Sequence, residues 1–188
     1  MKRGILPVAL SLSLVLAARV AVLAADVDSP LLGAPEVYTL VNLHPDEPRH
    51  RLYSVNYQQS GLIPLCSKVK IASIDKRKMT FRLLGADREY EYIFHNSLRE
   101  PIAKHLDKVF GRTCDAARVQ SMSAVDRKGI RAGTVLPGMT KRGVTLAIGY
   151  PPEHATPTLD ADIWTYWKNR FGKMRVHFSD GKVAEIQE

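Results

Sequence analysis

Gly138-Met139-Thr140, Val144, Gly149-Tyr150-Pro151, then Ile163-Trp164-Thr165-Tyr166-Trp167, Met174-Arg175-Val176-His177-Phe178 and Val183-Ala184-Glu185-Ile186 are the runs that decide the fold. Thr140 has the hydroxyl of a helix cap, and Val144, Ala147 and Ile148 line one side of the helix it would start. Gly149 and Pro151 end that helix. Gly143 inside it costs about 1 kcal/mol relative to Ala, so the helix is expected to depend on packing. The three later runs mix apolar, aromatic and polar residues in the alternation of half-buried strands. The tail is therefore expected to be a helix packed on three strands.

Two details of the tail bear on function. Met174, Val176 and Phe178 share one face of a strand. A two-residue Asp180-Gly181 turn would pair Val176 with Glu185 and send Ile186 to the opposite face. A three-residue loop, Ser179-Asp180-Gly181, pairs Val176 with Ala184 and Met174 with Ile186, and so keeps the apolar set together; this loop is the one expected. Trp164 and Trp167 fall on opposite faces of their strand. Whichever lies outside the core must pack on another part of the chain or mark a contact site.

Upstream, residues 36–96 read as a small all-β unit. Val37-Tyr38-Thr39-Leu40-Val41 and Leu52-Tyr53-Ser54-Val55-Asn56-Tyr57 have strand composition. Lys68-Val69-Lys70-Ile71 alternates charge with apolar side chains. Met79, Phe81 and Leu83 alternate with Lys78, Thr80 and Arg82, and Tyr90, Tyr92 and Phe94 with Glu89, Glu91 and Ile93. So many short strands fit an antiparallel roll or barrel of SH3 size. Between the two units, 97–132 reads as a helix and a connector. Ser97-Leu98-Arg99-Glu100 has the form of a capping box, with Leu98, Ile102, Leu106, Val109 and Phe110 at helical spacing behind it. His105 falls beside that apolar stripe and reads as a surface or boundary residue. Asp126-Arg127-Lys128-Gly129 reads as a turn.

The leader, 1–25, has Lys2 and Arg3 followed by an apolar run that ends in Ala24-Ala25, the layout of a secretory signal peptide. An uncleaved anchor is the alternative. No cysteine follows the small residues, so the exported product is not expected to be a lipoprotein. Three of the 27 basic residues lie in the leader, which lowers the formal charge from +8 to +5 and argues against a nucleic-acid partner. Cys66 and Cys114 are the chain's two cysteines; after export they are expected to bond, the alternative being two buried thiols. Such a bond closes a loop large enough to contribute about 4 kcal/mol.

The residues with chemical potential are scattered. His44 and His50, with Asp46 and Glu47 between them, lie in a Pro-containing stretch expected to be a solvated loop. His154 beside Glu153 reads the same way. A hydrolase built on His44, His50, His95 or His154 requires two of them and an acid to line one pocket. Lys68, Lys70, Lys76, Arg77, Lys78 and Arg82 form a basic set on the β unit. It reads either as a solvated face that blunts a sheet edge or as a surface for an anionic partner such as lipid head groups. No spacing of ligands points to a metal, and no cofactor is expected.

Gly138-Met139-Thr140, Val144, Gly149-Tyr150-Pro151, Trp164-x-Tyr166, Val176-x-Phe178 and Gly181-Lys182-Val183 together resemble the SmpA/OmlA family, also called BamE, over about 136–188. The resemblance implies helices on a three-stranded antiparallel sheet and an accessory role in outer-membrane β-barrel assembly. Where the family carries an acid after Gly-Met-Thr, this chain has Lys141-Arg142-Gly143. The expectation is an α+β protein of the periplasm: leader 1–25, β domain 36–96, helix and connector 97–132, BamE-like module 133–188. Its function would be non-enzymatic, binding an envelope protein, a cell-wall polymer or a lipid component, with a periplasmic hydrolase as the alternative.

Overall fold

The computed structural model describes residues 27–188. The expected leader, 1–25, lies outside the described residues.

The first sheet is built from β1 (Val37–Thr39), β2 (Arg51–Tyr53), β3 (Lys68–Ile74), β4 (Lys78–Leu83), β5 (Arg88–Ile93) and β6 (Phe110–Gly111), in the order β2-β5-β4-β3-β1-β6. The central pairs are antiparallel, as the alternating runs predict. The β3–β4 turn is held by Asp75, whose Oδ1 accepts from the backbone N–H of Arg77 at 2.6 Å and Lys78 at 2.9 Å. Val69, Ile71, Met79, Phe81, Tyr90 and Tyr92 point inward. The β2–β5 pair is parallel, so the expected antiparallel roll is a curled mixed sheet. Helix α1 (Ile102–Val109) closes its open side with Leu106 and Val109.

Helix α1 starts later than expected. Pro101 is its N-cap, and Ser97 donates no cap. The residue before a proline is disfavoured in helical geometry, so Glu100 does not enter the helix and no capping box forms. Beyond β6 the chain forms α2 (Ala117–Gln120) and α3 (Ala124–Ala132). Helix α3 runs through the expected Asp126–Gly129 turn. Ser123 caps it, its Oγ accepting from Asp126 N at 3.1 Å, and Gly133 ends it in left-handed geometry. Gly129 sits there because a Cβ would overlap the Met139 thioether, a packing demand that resembles a turn signal in sequence.

In the tail, α4 (Lys141–Ile148) joins α3 against the antiparallel sheet β7 (Ile163–Trp167), β8 (Lys173–Ser179) and β9 (Lys182–Gln187). Thr140 caps α4, its Oγ1 accepting from Gly143 N at 3.0 Å. Val144, Ala147, Ile148, Trp164, Tyr166 and Val176 form the heart of this second core. The β8–β9 hairpin corrects the expected three-residue loop. Asp180 and Gly181, at φ 50° and 72°, make a two-residue turn, with Phe178 opposite Val183. An extra residue in β9 shifts the register past His177 and Phe178, so Val176 faces Ile186. The bulge returns Ile186 to the apolar row, which a regular two-residue hairpin would not do.

Polar side chains from the first unit satisfy the ends of the tail's helices. Asn42 Nδ2 donates to Ile130 O at 2.7 Å and Ala147 O at 3.0 Å. Asn56 Nδ2 donates to Ile148 O and Tyr150 O, both at 2.8 Å, and Gln58 Nε2 donates to Ile148 O at 3.0 Å. The Ala147 and Ile148 carbonyls are among the acceptors a helix end leaves without internal donors. Gly149, at φ 77°, must be glycine twice over, because a Cβ would also stand 2.8 Å from Asn56 Nδ2.

Candidate functional site

The expected disulfide is present. Cys66 and Cys114 are bonded with their Cα atoms 5.5 Å apart, tying the lead into β3 to the segment after β6.

The basic set on the β unit is interleaved with acids. Lys68 pairs with Glu36 at 2.8 Å, Lys78 with Glu91, Arg51 with the same Glu91 at 2.8 Å, and Arg82 with Asp87 at 3.1 Å. Lys70, on β3, and Lys76 and Arg77, in the β3–β4 turn, are exposed. The counter-charges hold Glu91 below the usual carboxylate range through the bonds from Lys78 and Arg51. Charge of both signs spread over a face in this way gives little net field for an anionic partner.

The histidines divide into three environments. His44 is buried instead of solvated: its Nε2 donates to Ala147 O at 3.2 Å, and burial pushes its pKa down. His50 is exposed in left-handed geometry and leans on Tyr90 at 5.4 Å between ring centroids. His105, expected near the surface, is buried between two partners. Its Nε2 lies 2.8 Å from the Tyr92 hydroxyl and its Nδ1 3.1 Å from Glu100 Oε1. Burial depresses the His105 pKa, opposed by Glu100. Burial raises the Glu100 pKa, but Lys108 and His105 outweigh it and hold the carboxyl below its ordinary value. Lys108 lies 2.6 Å from Glu100 and 3.1 Å from Glu153, so both acids are spent on one lysine.

His95 and His154, far apart in sequence, meet at a cleft. The segment after β2 brings Tyr57, the segment after β5 brings His95 and Ser97, the loop before β7 brings His154, and the β7–β8 hairpin brings Trp167 and Arg170. The cleft has a volume of about 320 Å³, and none of its lining residues is acidic. Ser97 N donates to His95 Nδ1 at 3.1 Å, which leaves the ring proton on Nε2. The His154 ring stacks on Trp167 with centroids 6.2 Å apart. Burial lowers the His154 pKa, and His95, Arg99 and Lys173 lower it further by charge. An adjoining hollow of about 110 Å³ has His154 on its wall with His105, Glu100 and Glu153. The four histidines weighed from sequence therefore supply one pair to the cleft, and that cleft has no carboxylate to serve as their partner.

The two tryptophans part as their strand geometry requires. Trp164 is 1% exposed in the core, 4.8 Å from Phe178 between centroids. Trp167 packs toward the first unit, where Tyr57 bridges to it and Gln58 N donates to its carbonyl at 2.8 Å. Lys173 Nζ lies 4.6 Å from its ring centroid, and its indole Nε1 is buried without a protein acceptor.

The β7–β8 turn carries the residue that the sequence survey missed. Phe171 is 79% exposed, the most exposed of the described large hydrophobic residues. The loop that presents it is ordered: Asn169 Oδ1 accepts from Phe171 N at 2.8 Å and Gly172 N at 2.9 Å, and Gln59 Nε2 donates to Lys168 O at 2.7 Å. Arg170 covers the ring at 4.5 Å, and Lys168 and Lys173 flank it. An aromatic residue among basic ones between two strand runs was the available signal. Among the described residues no group of histidines, cysteines and acids is placed to hold a metal, and no helix is long and apolar enough to cross a membrane. No family model, no curated protein and no solved structure matches the chain.

Proposed function

We propose that the chain is an exported, non-enzymatic envelope protein that holds an envelope protein or polymer, in keeping with its BamE-like tail and a role in outer-membrane assembly or maintenance. The observation that carries this reading is Phe171, 79% exposed at the tip of a hairpin fastened from both sides. A large apolar ring held in water by an ordered loop is stabilised by covering it, and aromatic and arginine side chains are the usual anchors of contact sites. Trp167 and Arg170, on the same hairpin, extend the surface toward the cleft. The hydrolase alternative has weaker support, because Glu100 and Glu153 are paired with Lys108.

A photo-crosslinking residue at position 171, introduced into the full chain in cells, tests the proposal. A discrete envelope adduct at 171, absent when the probe is moved to the exposed Leu84 in the β4–β5 turn, is the expected result. Equal labelling at both positions, or none at 171, would overturn it.

A further inference from the structure

The cleft behind the hairpin has an electrostatic character of its own. Three cationic or protonatable side chains converge there from three segments, His95, His154 and Arg170, with Arg99 and Lys173 close enough to act on His154 by charge. The nearest acid in sequence, Glu153, is drawn to Lys108. A hollow whose polar wall is a guanidinium and two imidazoles, with no counter-carboxylate among its lining residues, is stabilised by an anion between them. The donors are suited to oxygen: His95 is fixed with its proton on Nε2, and Arg170 offers a planar fork. A volume of about 320 Å³ accommodates an anionic group together with part of the molecule that carries it.

We propose that the cleft formed by Tyr57, His95, Ser97, His154, Trp167 and Arg170 binds a phosphate monoester, with Arg170 and the two imidazoles as its donors. A phosphate monoester carries close to two negative charges near neutral pH and three acceptor oxygens, and so answers several cations where a carboxylate answers one. The anion would also draw a proton onto His154. Burial, and then positive charge nearby, lowers the pKa of that ring, and a bound dianion reverses the second influence. The site adjoins the Phe171 contact through Arg170, whose guanidinium lies over the Phe171 ring, but phosphate binding is read separately from that contact.

The test is a titration of the disulfide-bonded protein with inorganic phosphate and with glycerol 3-phosphate, read from the histidine imidazole NMR signals. The expected result is a response confined to His95 and His154, with a dissociation constant on the order of 1 mM. The His154 titration midpoint should rise by about one unit when the site is filled. Response to the ester alone, or to both probes, supports the site, the second case extending it to the free ion. Acetate should bind roughly tenfold more weakly, and Arg170→Ala should weaken phosphate by roughly tenfold while Arg82→Ala leaves it unchanged. Equal responses at the exposed His50, an unaltered midpoint at His154, or full binding by Arg170→Ala would each overturn the proposal. Loss of the Phe171 adduct with phosphate binding intact would count against the proposed contact function alone.

Discussion

Replacing Gly143 with Ala should destabilise the protein, although helix propensity alone predicts the opposite. Gly143 lies inside α4, where exchange for Ala ordinarily contributes about 1 kcal/mol of stability. Here a Cβ would overlap Asp126 Oδ1 and stand 2.6 Å from its Cγ. Asp126 is 1% exposed and cannot simply swing into water. Its carboxylate accepts from Thr140 N at 2.8 Å and from Ser123 Oγ at 2.8 Å, linking the caps of α3 and α4. Hydrogen bonds to a charged group contribute about 1.5–3 kcal/mol each, so losing both outweighs the helix gain by about 2–5 kcal/mol. Urea unfolding of the oxidised protein should show that loss as a lower midpoint with an unchanged slope. In an Asp126→Ala background the obstruction is gone, and Gly143→Ala should become neutral or stabilising. A stabilised single variant, or effects that add across the pair, would refute the account of Gly143 as room made for Asp126.

Other expectations follow from the same contacts. Replacing both Cys66 and Cys114 with Ser should cost about 4 kcal/mol, read from urea unfolding against the oxidised parent. Stability should also fall as pH is lowered through about 6.5. Burial depresses the pKa of His44, His105 and His154, so between their folded and unfolded values the unfolded chain holds more protons. The folded state is therefore fully favoured above the unfolded value and loses stability below it; a stability that rises on acidification to pH 5.5 would contradict this sign.

The strands were legible because their periodicity is enforced by a one-sided core. Met79, Phe81, Tyr90 and Tyr92 alternate with charged residues in the sequence and across the sheet alike. Thr140, Gly149 and the aromatic pair Trp164 and Tyr166 were legible as cap, stop and core. Long-range packing hid the rest. Gly129 and Gly143 look like helix breakers, yet each is small because a particular neighbour, Met139 or Asp126, needs the space. His105 sits beside the apolar stripe of its helix and becomes interior only because Tyr92 and Glu100 close on it. The cleft draws on four separate segments, and no local pattern states that His95 and His154 will face the same hollow. The hairpin register differs from expectation because the extra residue in β9, opposite His177 and Phe178, achieves by backbone distortion what loop length was expected to achieve.

The amides of Asn42 and Asn56 bear on how such a chain can be divided. Carbonyls in the last turns of α3 and α4 accept hydrogen bonds from side chains that stand about ninety residues upstream or more, as the separations of 88, 92 and 105 show. A genetic exchange that carried the tail without its upstream partner would leave the Ala147 and Ile148 carbonyls of α4 without the amides that bond them here. Residues 27–188 should therefore unfold in a single cooperative step.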